Sequence, residues 1–171
     1  MVATDTARNR APAPRPNGSA RAIATYLVGV RPLLGEITES RRAFIRHIGM
    51  LMEEARHAGR AVVVQAAGRI GRDEGQAFRG LRTQLDRLPP PAACDGCHQS
   101  IVKWTDLHTA ACQVMVEVGV SGDLTRLRET QSLLADARAH AQQFNIEYSR
   151  LVADVRQRVR AVATRQRRAV R

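Results

Sequence analysis

Aromatic residues are scarce, at 4% of 171 positions. Strands favour aromatic and β-branched side chains, so this scarcity argues against a β-sandwich or barrel. Cysteine is limited to three residues. That number is too small, and odd, for a disulfide framework. No stretch approaches the roughly 18 consecutive apolar residues of a membrane span, so no membrane partner is expected. Lysine is almost absent: Lys103 is the one lysine among 27 basic residues. The skew towards arginine fits a GC-rich coding sequence better than selection for guanidinium chemistry at each position. What remains is a chain that is 44% hydrophobic and 25% charged, enough to bury a core and rich in helix formers.

The net charge of +11 is unevenly placed. Arg8, Arg10, Arg15 and Arg21 stand against Asp5 in the first 22 residues. Arg156, Arg158, Arg160, Arg165, Arg167, Arg168 and Arg171 close the chain with no acid among them. The body between is close to neutral, so the basicity belongs to the two ends. Flexible guanidinium groups at the ends are candidates to contact nucleic-acid phosphates or an acidic protein. Solubility alone is the simpler use of the same charge.

Residues 1–20, with the APAPRPNGSA run, read as a flexible basic arm without the apolar segment of an export signal. A cytoplasmic protein with reduced thiols is expected. From residue 21 to about 160 the pattern is helical. Ile23, Leu27, Val30, Leu34, Ile37, Arg41, Phe44, Ile48, Leu51 and Ala55 recur at spacings of 4 and 3, a heptad seam. Pro32 cannot donate to a helix ladder, which predicts a break or kink between Val28 and Pro32. A main helix from Pro32 to Ala58 would then end on Gly59 as a left-handed cap.

A second helix is expected over 60–88, with Val63, Ala67, Ile70, Ala77, Leu81, Leu85 and Leu88 on its stripe. Its glycines at 68, 71, 75 and 80 suit either close packing against a neighbour or a loop at GRIGRDEG, and a continuous, close-packed helix is the favoured reading. The Gly68–Gly71 GxxG lacks the flanking strands of a KH domain. Pro89–Pro91 stop the helix. A short AACDGCHQS knuckle leads into a third helix over 100–118, with Trp104, Leu107, Ala111, Val114 and Met115 as its core. Gly119 and Gly122 bracket a turn, and Ser121 or Asp123 caps a fourth helix. That helix carries Leu127, Leu134, Ala137, Ala141, Phe144, Tyr148, Leu151, Val155 and Val162. Residues 161–171 form the Arg-rich tail. The expected fold is all-α: an antiparallel bundle or elongated helical hairpin. So long a fourth helix needs cover along its stripe, and a homodimer is one way to supply it.

Cys94, Cys97, His108 and Cys112 form C-x2-C-x10-H-x3-C and use every cysteine in the chain. Two thiolates on a Gly96-containing turn can grip one ion. His108 and Cys112, four residues apart on a helix, can complete a tetrahedron round zinc. The spacing resembles zinc fingers of the Cys-Cys-His-Cys type, which implies ligation by these four residues; the ββα context of DNA readout is missing. A metal knuckle over 94–112 is therefore expected, structural and closed to water.

Two alternatives share His98. Cys94-Asp95-Gly96-Cys97-His98 is similar to the c-type haem attachment motif, which implies thioethers at both cysteines and His98 as axial ligand. His108 lies about 15 Å further along a helix, so the second axial ligand would be His47, His57 or His140, or the position would stay open. The same CDGCH stretch resembles the CDGSH iron–sulfur signature but lacks the upstream C-x-C pair. Glu54 and His57 make one Glu-x-x-His, whereas a di-iron bundle uses two. Nothing resembles a catalytic triad, and no small-molecule substrate is evident. The expected function is thus a non-enzymatic, zinc-stapled helical binding or scaffold protein. The alternative is a redox or electron-transfer protein built on Cys94-x-x-Cys97-His98.

Overall fold

The computed structural model describes residues 19–169, with side chains through residue 167. Most of the basic arm, with Arg171 and the Arg168 side chain, lies outside that range. Four α-helices pack together: α1 (Ala20–Glu54), α2 (Arg60–Asp86), α3 (Asp95–Ser121) and α4 (Leu127–Ala169). Two short 3-10 turns, Ala92–Cys94 and Leu124–Arg126, precede α3 and α4. Among the described residues there is no strand, and no helix is long and apolar enough to cross a membrane.

Each helix packs antiparallel on the next, and α4 returns to α1. Glycine contacts show the registers. Gly29 near the start of α1 faces Leu88 beyond the end of α2. Gly68 and Gly75 on α2 meet Gly119 and Cys112 on α3, and Gly96 on α3 meets Glu147 on α4.

Most of the α1 seam is buried as its spacing predicts, but Leu34, Arg41 and Ile48 are half-buried and Ala55, just beyond the helix, is exposed. Ile23, Leu27, Val30, Ile37, Phe44 and Leu51 are in the core. Ser19 caps the helix, its Oγ accepting from the Ala22 amide at 3.1 Å. The expected break at Pro32 does not occur: α1 is one helix through that residue. Pro32 lies on the exposed side, as does Val28. The Val28 carbonyl, which loses its helical donor to Pro32, is on this exposed side, where solvent can satisfy it. Gly59 is not a left-handed C-cap. Helix α1 has ended at Glu54, and Gly59, extended at φ −66°, ψ 151°, precedes α2.

Helix α2 runs unbroken through its glycines, which lets α3 approach closely. On α2 the buried aromatic is Phe78, while its neighbour Ala77 is exposed. The expected stripe is thus rotated by one residue at that point. Gly119 is not in a turn. It lies inside α3 against Gly68, and α3 ends at Gly122, whose φ of 72° is left-handed. Asp123 caps the following turn, its Oδ1 accepting from the Thr125 amide at 3.0 Å.

The apolar stripe of α4 is covered through Leu151, chiefly by α3. Beyond it the helix continues to Ala169. Val159 and Val162 are 58% and 54% exposed, so Val162 does not belong to the core as its spacing suggested. Residues 156–169 form an uncovered helical overhang, roughly 20 Å long at 1.5 Å per residue.

Candidate functional site

The largest departure from the sequence expectation lies at residues 92–121. There is no Cys/His knuckle between helices two and three. Residues 92–94 make a single 3-10 turn, and α3 begins at Asp95. Cys94 is the N-cap residue, and Cys97 and His98 lie in the first turn of a straight α-helix. Cys97 and His108 stand eleven residues apart on that helix, roughly 16 Å along its axis. Zinc–sulfur and zinc–nitrogen bonds are about 2.0–2.3 Å. The four residues Cys94, Cys97, His108 and Cys112 are therefore not brought to one point. No group of three or more His, Cys, Asp or Glu side chains among the described residues is placed to hold a metal ion.

The structure sorts the expected ligands into two separate pairs. The first is Cys94 and Cys97, buried at 0% and 1% exposure and unoxidised. Next to them Tyr26 of α1 and His98 of α3 share a hydrogen bond, Oη to Nδ1, at 3.2 Å. The Tyr26 phenol lies within electrostatic reach of both thiols, and burial is the main cause that pushes its ionisation well upward. Burial also pushes the Cys94 thiol up to about 11 and the Cys97 thiol to about 12. Arg150 of α4 acts on Cys97 in the opposite direction. A cleft of about 530 Å³ runs beside this helix start, lined by Ala92, Ala93, Gly96, Glu147, Arg150 and Leu151 among others.

Haem attachment would require Cys94 and Cys97 to leave the core and His98 to give up its Tyr26 bond. An iron–sulfur cluster would require further sulfur ligands. The remaining cysteine, Cys112, stands fifteen residues beyond Cys97 on α3, roughly 22 Å along the helix axis.

The second pair is His108 and Cys112, in the middle of the bundle. His108 is 1% exposed. Its Nδ1–H donates to the Trp104 carbonyl at 2.8 Å, because a carbonyl can only accept. Nε2 then carries the lone pair and has no hydrogen-bond partner. The ring is tilted against Phe78 at 4.9 Å between centroids and edge-on to Trp104 at 5.8 Å. Burial is the main cause that lowers its pKa below the usual histidine value. It is a neutral core imidazole. Cys112 is fully buried, and burial pushes its thiol to about 12, with Glu74 adding in the same direction.

Sequence reasoning missed the polar pairs that join helices, among them Arg82 of α2 with Asp106 of α3 at 2.9 Å. His47 Nδ1 lies 2.7 Å from Glu74 Oε1, joining α1 to α2, with Glu74 only 8% exposed. No spacing signal links residues on different helices, so the pairing was invisible. Of the C-terminal arginines, Arg156, Arg160, Arg165 and Arg167 are exposed on the α4 overhang. Arg158 is tied to Asp154 at 2.8 Å. The chain matches no family model, no curated protein and no solved structure.

Proposed function

We propose that this protein is a non-enzymatic helical binding protein whose Arg-rich α4 overhang engages a polyanion, nucleic acid in the first instance. The observation that carries the reading is the overhang itself. A helix that outruns its own bundle gains no stability from intramolecular packing, and its arginines are held at regular spacing in solvent. At 100° per residue, Arg156, Arg160 and Arg167 fall within about 40° of one another on one face. Such a row suits a phosphate backbone, which is recognised by charge and needs no base-edge contact. The zinc staple does not belong to this reading as a four-ligand centre, because α3 keeps the ligand pairs apart.

The test uses the full chain and a mixed-sequence duplex. Each phosphate neutralised adds about −0.9 to the slope of log affinity against log salt. Replacing Arg156, Arg160 and Arg167 together by Gln should flatten that slope by about 2 to 3 and weaken binding equally for unrelated sequences. An unchanged slope would overturn the reading and leave an acidic protein partner as the occupant of the overhang. A loss confined to one duplex sequence would also count against it, since a backbone grip carries no sequence information.

A further inference from the structure

From the placement of Cys94 and Cys97 we infer a two-coordinate site for a soft monovalent cation of the Cu(I) class at the start of α3. Three observations support it. Cys94 and Cys97 stand three residues apart, the N-cap residue and a residue of the first turn of α3, a spacing that puts two side chains on one side of a helix. Both side chains are almost completely buried, so the site is dry. Among the described residues no third His, Cys, Asp or Glu joins them in a group placed to hold a metal ion. Zinc in a structural site takes four ligands, and two buried thiols cannot supply them. Thiolate sulfur selects Cu(I), which is content with few ligands.

The binding step balances in charge. Binding proceeds as two thiols and one Cu(I) giving a bis-thiolate complex of charge −1 and two protons released to water. No electron is transferred, so no oxidant or reductant is consumed. The residual negative charge sits at the N-terminus of a 27-residue helix, where the helix dipole favours an anion. Near Cys97 the Glu147 carboxylate opposes a thiolate and Arg150 of α4 favours one.

The cleft along Ala92, Ala93, Gly96, Glu147 and Arg150 reaches the backbone between the two cysteines. Gly96 sits against the Glu147 carboxylate, which lies 2.8 Å from where a Cβ would stand. A carboxylate at the mouth gives an arriving cation a first, weaker contact before the thiols. The Tyr26–His98 bond closes the site on the α1 side. This inference is independent of the α4 overhang, which lies on a different element and needs no metal.

The test titrates full-length reduced protein with Cu(I) under anaerobic conditions, against a chromophoric Cu(I) chelator. One Cu(I) per chain is expected, with two sulfur ligands in its X-ray absorption spectrum. Loss of a supporting outer-shell group already costs metal affinity about 10–100-fold, so removing one of two ligands should cost at least about a hundredfold. Cys94→Ser and Cys97→Ser should each show that loss, and Cys112→Ser should bind like the parent. Circular dichroism checks that each variant is helical. Should a serine variant unfold, Cys94→Ala and Cys97→Ala carry the same comparison with an apolar replacement. Equal loss in Cys112→Ser, or no stoichiometric Cu(I), overturns the site. A parallel titration with Zn(II) alone should show no tight stoichiometric binding. One zinc per chain, lost on His108→Ala, would overturn the inference in favour of a four-ligand centre.

Discussion

Adding one methyl group to α2 should change stability in opposite directions at two glycines nine residues apart. A Cβ at Gly71 would lie 2.5 Å from the Cys112 carbonyl oxygen and 2.7 Å from the Val116 amide nitrogen of α3. Both neighbours are helical backbone and cannot rotate away, so the two helices must separate by several tenths of an ångström or more. Overpacking of this kind costs about 1–3 kcal/mol, and a backbone clash belongs at the upper end. Alanine returns about 1 kcal/mol of helix propensity. The net loss for Gly71→Ala is therefore about 2 kcal/mol. A Cβ at Gly80 meets nothing within 4 Å, so Gly80→Ala keeps the propensity gain of about 0.5–1 kcal/mol. In a chain of this size about 1 kcal/mol moves the melting temperature by roughly 2–4 °C. Thermal unfolding followed by circular dichroism should show Gly71→Ala lower by about 4–8 °C and Gly80→Ala higher by about 1–4 °C. Urea unfolding of the same proteins checks that the slope with denaturant is unchanged. If both substitutions stabilise, α2 and α3 are not in close contact at Gly71 and the packing argument fails.

Three further outcomes follow from the buried groups. The folded-state pKa of His108 is lowered, chiefly by burial. The unfolded chain therefore takes up a proton near pH 6.5 that the native state refuses. Stability should be full above that pH and fall as pH drops below it; in His108→Phe the acid-side fall should be shallower, and identical urea midpoints against pH for the two proteins would refute the assignment. Cys112 is fully buried against Gly75, with its thiol pushed to about 12, so iodoacetamide at pH 8 should leave it unmodified until denaturant is added; peptide mapping reads the result. Leu51 and Leu151 are 3% and 5% exposed, and replacing either by Ala should cost about 2–5 kcal/mol in urea unfolding, whereas a loss under about 0.5 kcal/mol would place that stripe outside the core.

The helices and most of their buried faces were legible in the residues. A heptad seam states which side of a helix must leave water, and Ile23 to Leu51 and Leu127 to Leu151 obey it because burial follows periodicity. The glycine-rich α2 also reads correctly as a close-packed helix. Tertiary structure decided what local rules could not. Pro32 stays inside α1 because its side of the helix faces water, which local chain chemistry does not encode. Phe78 rather than Ala77 enters the core because α1 and α3 set the rotation of α2. Ligand spacing specifies a metal centre only when the chain between the ligands folds back. Here residues 95–121 bury Ile101, Trp104, Ala111 and Met115, and that packing keeps them a straight helix, which carries His108 and Cys112 away from Cys94 and Cys97. The pairing of His47 with Glu74, and the point at which α4 runs out of partners, likewise depend on where whole helices end against one another, a property of the assembled bundle and of no single segment.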